Sequence, residues 1–223
     1  MNRQELIQQL TAIIEKNQKN HPFCVGIDGA SASGKTFLAD SIADSLKSKA
    51  MHVIRASVDG FHNPKAVRYQ KGCNSAEGYY KDSFNNKAII DNLLTPLGKK
   101  GSLQYKKAIF DFKTDKQIVC LPEIALPRSV LIMEGIFLFR PELVQYWDLK
   151  IFLDVTSSTV IARAITRDKY YLGSEQEIID KYHQRYIPGE NIYFQEAHPK
   201  HTADIVIDNN DFENPVIVKQ IQL

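Results

Sequence analysis

The segment most informative about the fold is residues 23–36, Phe23-Cys24-Val25-Gly26-Ile27-Asp28-Gly29-Ala30-Ser31-Ala32-Ser33-Gly34-Lys35-Thr36. Residues 23–27 form a short apolar run bounded by turn residues, which predicts a buried strand. The stretch 29–36 matches the pattern G-x-x-x-x-G-K-[ST] in full. Residues 35–49 then carry apolar side chains at helical spacing. A strand, a glycine-rich loop and a helix in this order predict a loop that wraps a phosphate group.

Each part of this phosphate loop has a physical role. Glycines allow backbone conformations that a Cβ atom would forbid, and successive backbone N–H groups form a nest for an anion. The positive end of the helix dipole adds to the attraction. The motif assigns Lys35 to the β- and γ-phosphates and the Thr36 hydroxyl to Mg²⁺. The predicted phosphate-binding residues are Gly29, Ala30, Ser31, Ala32, Ser33, Gly34, Lys35 and Thr36. The motif indicates nucleoside triphosphate binding and leaves the reaction open.

Outward from the loop, strand and helix patterns alternate. Apolar periodicity predicts helices over 3–16, 35–49, 84–94, 157–169 and 175–186, and strands over 23–27, 53–58, 130–133, 149–155 and 204–208. Pro96 is expected to end helix 84–94. This alternation predicts an α/β three-layer sandwich with a central parallel sheet and helices on both faces, and the phosphate-loop motif makes it one of the P-loop NTPase type. No composition shift marks a boundary, so we expect one domain over residues 1–223, with an N-terminal helix within about 1–20.

Composition narrows the class of protein. The 223 residues are 43% hydrophobic and 24% charged, which is typical of a globular chain. The net charge of +2 gives no sign of a nucleic-acid partner. Three widely spaced cysteines without a CxxC pair argue against a disulfide framework or a zinc site. The N-terminus lacks the apolar core of a secretion signal, and no run reaches membrane-spanning length. We expect a cytoplasmic protein with no membrane or nucleic-acid partner.

Acidic residues follow two of the predicted strands. Asp59 comes after strand 53–58, on the side of the sheet where the phosphate loop lies. A carboxylate there can orient a hydroxyl group and accept its proton during phosphoryl transfer, although an Asp in a turn can also simply cap the next segment. Glu134 ends strand 130–133, the position where nucleotide-binding folds hold Mg²⁺ directly or through water.

Two arginines share one face of a predicted helix. Arg163 and Arg167 lie four residues apart, with Lys169 nearby. Such a segment can close over a triphosphate as a lid and stabilise charge in the transition state. A solvated basic helix face remains the alternative for the same pattern.

Taken in order, several segments resemble the uridine kinase and phosphoribulokinase family of P-loop kinases. They are GASASGKT (29–36), VDGFH (58–62), YYKDSF (79–84), IFDFKTD (109–115) and MEGIF (133–137). The resemblance runs from about residue 25 to about 209. It implies a catalytic base at Asp59, a metal site near Glu134, and lid arginines at Arg163 and Arg167 within about 163–185. It also implies sugar-hydroxyl binding by Asp82 and nucleobase contact by 109–115.

The resemblance implies an ATP:alcohol phosphotransferase that uses ATP and Mg²⁺ and acts on the 5′-hydroxyl of a ribonucleoside, with uridine or cytidine first. The implied catalytic residues are Asp59, Lys35 and Arg167, and the implied acceptor-binding residues are Asp82, His62, Tyr79, Phe110 and Asp115. The chain departs from the family pattern at two of these positions. Uridine kinases usually carry a His where this chain has Asp115, and an aromatic residue where it has His62.

Alternatives therefore stay open at this point. The same chemistry could act on pantothenate, nicotinamide riboside or a sugar. A regulatory switch that hydrolyses or senses ATP is an alternative from another class. The sequence is compatible with a monomer or a homo-oligomer.

Overall fold

The phosphate loop follows the central strand of a six-stranded sheet. The structure is a computed structural model that describes residues 1–221. The strands are β1 (Phe23–Gly29), β2 (Val53–Ser57), β3 (Gln104–Tyr105), β4 (Phe110–Asp111), β5 (Lys116–Gln117), β6 (Glu123–Ile124), β7 (Val130–Glu134), β8 (Leu149–Asp154), β9 (Ile205–Asp208) and β10 (Val216–Gln220). The main sheet has the order β10-β9-β8-β1-β7-β2, and β3 with β6 and β4 with β5 form two small antiparallel pairs.

Five of the six strands in the main sheet are parallel. β1 pairs with β7 and β8, and every residue of β1 is buried, as expected for the middle of a covered parallel sheet. β10 runs antiparallel to β9 at one edge and is a departure from the purely parallel sheet that the sequence predicts. Its five residues alternate between exposed and half-buried, so their pattern is too short and too weakly buried to stand out in the sequence.

Helices cover both faces of this sheet. They are α1 (Arg3–Lys16), α2 (Lys35–Ser48), α3 (Lys65–Arg68), α4 (Ala76–Asp82), α5 (Asn86–Ile89), α6 (Thr95–Leu97), α7 (Ser157–Leu172), α8 (Glu175–Lys181), α9 (Ile187–Ala197) and α10 (Pro199–Thr202). Single π-helical turns at Ile90–Leu94 and Tyr182–Tyr186 join α5 to α6 and α8 to α9. A short 3₁₀ turn, Val58–Phe61, follows β2.

Two predicted helix ends are wrong. The sequence predicts that the helices end before Pro96 and at residue 186, but α6 continues through Pro96 and α9 begins at Ile187 and runs to Ala197. Both prolines lie in the first turn of a new α-helical segment, directly after a π-helical turn. There the missing proline N–H breaks no helical hydrogen bond, so the chain stays helical.

The strands bury alternate side chains on opposite faces. Along β7, Val130 and Ile132 pack into one cluster with α1 and α2, whereas Leu131 and Met133 pack into the cluster on the other face. The apolar run that predicts a strand at 130–133 is therefore buried on both sides. This arrangement confirms the predicted three-layer α/β fold.

A smaller apolar cluster fixes the phosphate loop against the C-terminal helices. Ala30 and Ala32 of the loop pack with Val160 and Ala164 of α7 and with Tyr182. The carboxyl ends of the parallel strands, where such folds bind ligands, open on this side of the molecule. Within residues 1–221, no helix is both long enough and apolar enough to cross a membrane.

Candidate active site

The phosphate loop runs from the end of β1 into the first turn of α2. Gly34 has a φ of 96°, and a Cβ atom there would lie 2.8 Å from Asn209 Nδ2. Glycine is therefore required at this position both for the backbone conformation and for space. Ala32 also has a positive φ of 55°, which gives the loop the tight curvature of an anion nest.

Lys35 lies inside the curve of this loop. Its side chain is buried, and its Nζ donates hydrogen bonds to the carbonyl oxygens of Gly29 at 3.0 Å and Ala30 at 2.7 Å. Burial lowers the pKa of the ammonium group, whereas the nearby carboxylates of Glu134 and Asp28 raise it. A buried cation held beside a cluster of N–H groups is suited to a multiply charged anion.

Two residues could hold Mg²⁺, as the sequence predicts. Thr36 is exposed in the first turn of α2, and Glu134 is buried at the end of β7, 3.4 Å from the Nη2 atom of Arg55. Within residues 1–221, no group of three His, Cys, Asp or Glu side chains could hold a metal ion on its own. Thr36 and Glu134 fit Mg²⁺ all the same, because this ion is usually held by one or two protein oxygens together with substrate phosphates.

Asp59 lies in the 3₁₀ turn after β2, at the open end of the sheet. Its side chain is 54% exposed, yet the surrounding protein displaces enough water to raise the pKa of the carboxyl group. The positive charges of Lys35, Arg167 and Arg68 act in the opposite direction. The structure therefore brings the three residues proposed as catalytic, Lys35, Asp59 and Arg167, within electrostatic reach of one another.

The two arginines predicted for a lid have different partners. Arg163 donates to the carbonyl oxygens of Asn209 at 2.7 Å and Asn210 at 3.0 Å, so it holds the loop after β9. Arg167 donates to Asp168 at 2.7 Å and to the Tyr182 hydroxyl at 2.9 Å. Burial lowers the pKa of Arg167, but the hydrogen bond to Asp168 and the electrostatic effect of Tyr182, Asp168 and Tyr79 together raise it by more, so the net shift is upward. Its guanidinium is therefore permanently charged and held in place.

On the predicted acceptor side, α4 supplies Tyr79 and Asp82. The Tyr79 hydroxyl lies 3.1 Å from Ser31 Oγ, which connects α4 to the phosphate loop. Asp82 has a side chain only 16% exposed, with Lys71 Nζ at 3.8 Å from its Oδ2 atom. Within residues 1–221, that buried Oδ2 atom has no hydrogen-bond partner. A buried carboxylate oxygen in this state is costly unless a ligand donates to it.

His62 has an aromatic environment. Its ring centre lies 4.5 Å from that of Phe84 and 5.1 Å from that of Phe112, and its Nδ1 lies 3.0 Å from the Asp59 carbonyl oxygen. Burial lowers the pKa of His62 to about 4, so the imidazole is neutral near pH 7. Phe110 is buried and offers little ring surface, whereas the partly exposed Phe112 packs against His62.

Asp115 does not stand alone as an unpaired carboxylate. Its Oδ1 atom accepts hydrogen bonds from Arg68 Nη2 at 3.1 Å and from the Lys65 amide at 3.0 Å. Arg68 therefore offsets the charge of Asp115. Its role in contacting a nucleobase stays a prediction, but it contributes little net negative charge there.

Two buried acidic residues near the loop, Glu190 and Asp28, are not predicted from the sequence. Glu190 of α9 accepts a hydrogen bond from the Ser31 amide at 2.8 Å, and burial raises the pKa of its carboxyl group. Asp28 is fully buried and accepts from the Gly29 amide, the Phe139 amide and the Tyr193 hydroxyl. Burial raises the pKa of Asp28 to about 6. Each contact except that of Gly29 joins residues more than 100 positions apart, so no local pattern reveals it.

The chain is similar to known kinases over most of its length. Residues 24–211 match the model of the Phosphoribulokinase / Uridine kinase family. The chain is 29% identical over 208 residues to the uridine kinase of Ligilactobacillus salivarius, covering 91% of this chain and 92% of that protein. It is 27% identical over 195 residues to uridine kinase-like protein 3 of Arabidopsis thaliana, of which it spans only 40%.

A solved structure shows the same fold. The structure of a possible uridine kinase from Bacillus stearothermophilus superposes with a TM-score of 0.72 at 23% identity, covering 91% of this chain and 97% of that one. Since the family model matches most of the chain, the chain belongs to the phosphoribulokinase/uridine kinase family of P-loop kinases.

Proposed function

We propose that this kinase transfers the γ-phosphoryl group of ATP to the 5′-hydroxyl of a ribonucleoside, with uridine or cytidine as the preferred acceptor. The observation that supports this most is the convergence of Lys35, Arg167 and Asp59 beside the phosphate loop. Two fixed cations next to one carboxylate are what phosphoryl transfer to a hydroxyl group needs.

In the proposed reaction, Asp59 orients the acceptor hydroxyl and takes its proton. The acceptor oxygen forms a new bond to the γ-phosphorus while the bond from that phosphorus to the β–γ bridging oxygen breaks, and ADP leaves with the electron pair. Lys35 and Arg167 stabilise the negative charge that moves onto the phosphate oxygens. Thr36 and Glu134 would hold Mg²⁺, which neutralises phosphate charge when bound.

The acceptor side favours a neutral base and a diol. Asp82 has a buried carboxylate oxygen without a hydrogen-bond partner in residues 1–221, and a carboxylate can accept from two vicinal hydroxyl groups at once. His62 is neutral near pH 7, and because its Nδ1–H donates to the Asp59 carbonyl oxygen, its Nε2 is left as an acceptor for an N–H group of a pyrimidine. Because Arg68 offsets the charge of Asp115, the site offers no strong attraction to a cationic nicotinamide ring.

The test is a comparison of ADP formation from ATP with and without each acceptor. The acceptors are uridine, cytidine, purine nucleosides, nicotinamide riboside, pantothenate and simple sugars. We expect ADP formation to depend on a ribonucleoside and to be fastest with uridine or cytidine. A rate of ADP formation that is the same with and without every acceptor would refute the proposal and favour a regulatory ATPase.

A further inference from the structure

Arg3, the first residue of α1, is a buried charged side chain with partners at the far end of the chain. Only 8% of the residue is exposed. Its Nε donates to the Phe212 carbonyl oxygen at 2.6 Å, and its Nη2 donates to Asn209 Oδ1 at 2.8 Å. The guanidinium carbon lies 3.6 Å from the centre of the Phe212 ring and 5.2 Å from that of Phe37. Arg3 therefore fixes the loop after β9 by hydrogen bonds and by cation–π contact.

Asn209 connects Arg3 to the phosphate loop by a hydrogen bond on each side of its amide group. The residue is fully buried, and its Nδ2 donates to the Ser33 carbonyl oxygen at 2.7 Å. Arg3 has only donors, so its bond to Oδ1 fixes which way the Asn209 amide points. The two hydrogen bonds thus form one chain from Arg3 through Asn209 to Ser33.

The last link orients an anion-binding group. The Ser33 carbonyl and the Gly34 N–H belong to one planar trans peptide, so they point in opposite directions. Holding the Ser33 oxygen on the side of Asn209 therefore turns the Gly34 N–H to the other side. Asn209 also sets the space available at Gly34, since a Cβ atom there would lie 2.8 Å from Asn209 Nδ2.

We propose that Arg3 is a positioning residue for the nucleotide: through Asn209 it holds the Ser33–Gly34 peptide in the orientation that binds phosphate. α1 lies outside residues 24–211, the part of the chain that matches the family model. The N-terminal helix is thereby part of the nucleotide site as well as a cover for the sheet. This inference rests on the proposed function only in taking ATP as the bound nucleotide.

The test compares Arg3→Ala with Gln4→Ala, its exposed neighbour on the same helix. ATP affinity is measured by titration calorimetry, and KM is measured separately for ATP and for the acceptor, at a temperature where circular dichroism shows each variant folded. Loss of one buried hydrogen-bond chain should weaken ATP binding in Arg3→Ala by about tenfold and leave the acceptor KM unchanged. Gln4→Ala should behave as the wild type.

Two further variants make the test specific. Arg3→Lys keeps the charge but cannot reach Asn209 and Phe212 with a forked donor, so its ATP affinity should lie between those of the wild type and Arg3→Ala. The double variant Arg3→Ala/Asn209→Ala should bind ATP as well as Asn209→Ala alone, because both residues act through the Ser33–Gly34 peptide.

Three results would overturn the inference. The first is a folded Arg3→Ala protein with wild-type ATP affinity. The second is a double variant in which the losses of ATP affinity of the two single variants add. The third is an equal loss of ATP and acceptor affinity in Arg3→Ala. A wild-type protein that binds ATP but phosphorylates no nucleoside would refute only the proposed function, because the effect of Arg3 is measured in ATP binding.

Discussion

Asp59 is proposed as the group that takes the proton from the acceptor. Because the protein displaces water around it, the pKa of its carboxyl group is raised above the ordinary value of 3.8. Only the ionised form can accept a proton, so kcat should fall as pH drops through this raised pKa. The acidic limb of the pH profile should therefore lie above the ordinary range of an aspartate.

Asp59→Asn should keep the shape of the side chain and lose the proton acceptor. We expect kcat to fall by roughly 10² to 10⁴ and the acidic limb to disappear, while ATP affinity changes little. Steady-state kinetics across a pH series measures both effects. Asp91→Asn, at an exposed surface ion pair, is the control. A near-normal kcat in Asp59→Asn would mean that this aspartate merely caps its turn.

Asp82 is proposed to bind the sugar of the acceptor. Removing its buried carboxylate in Asp82→Ala should raise the acceptor KM by about tenfold to a hundredfold, since hydrogen bonds to a charged group are lost. ATP affinity should stay unchanged. The exposed Asp44→Ala on α2 serves as the control in the same assays. If the acceptor KM stays at the wild-type value, Asp82 does not bind the acceptor.

Among the site residues, the sequence predicts those that are close together along the chain. The phosphate-loop residues are contiguous, and their motif specifies their chemistry. Glu190 and Ser31 are separated by 159 positions, and Asn209 and Ser33 by 176. Contacts of this kind depend on the folded arrangement of β1, α9 and the loop after β9, so a sequence pattern contains no record of them.

At the scale of elements, α7 is proposed to place a charge over the triphosphate. Hydrogen bonds to Asp168 and Tyr182 already hold the Arg167 side chain in one orientation, so it loses little conformational freedom when it contacts the triphosphate. Arg167→Ala should lower kcat by roughly 10² to 10³ and change the acceptor KM less, if the guanidinium stabilises transition-state charge. Lys169→Ala, exposed on the same helix, is the control for charge alone. An effect confined to the acceptor KM would assign Arg167 to acceptor binding.

Long elements with a clear apolar period are predicted well. The bounds expected for α1 agree with the structure, and the five predicted strands all lie in the main sheet. The π-helical turns at 90–94 and 182–186 are not foreseen, because a proline after them reads as a helix end. The sequence pattern therefore does not predict α9, the helix that carries Glu190 and Tyr193.

At the scale of the whole molecule, a buried carboxyl group links the central strand to α9. The pKa of Asp28 is raised to about 6 in the folded protein from 3.8. The folded state thus keeps a proton that the unfolded chain releases, so the contribution of Asp28 to stability falls as pH rises from about 4 to about 6 and is level above that. The Tyr193 hydroxyl, which donates to Asp28, limits this loss.

Tyr193→Phe should therefore raise the pKa of Asp28 further and lower the free energy of unfolding by about 1–3 kcal/mol near pH 8. Near pH 5, where Asp28 is mostly protonated in both proteins, the difference should be smaller. Urea unfolding at the two pH values measures the effect, with the exposed Tyr170→Phe as control. An equal loss at both pH values would mean that the hydroxyl does not act through the charge of Asp28.

Product analysis decides whether the protein transfers a phosphoryl group to the 5′-hydroxyl of a ribonucleoside. Wild-type protein and Lys35→Ala are incubated with ATP, Mg²⁺ and uridine or cytidine, and ³¹P NMR with mass spectrometry identifies each product. We predict one nucleoside 5′-monophosphate for every ADP in the wild type, and none in a folded Lys35→Ala protein. Full activity of folded Lys35→Ala would contradict the proposed phosphoryl transfer, and a higher kcat/KM for pantothenate or a simple sugar than for every ribonucleoside would contradict the proposed acceptor.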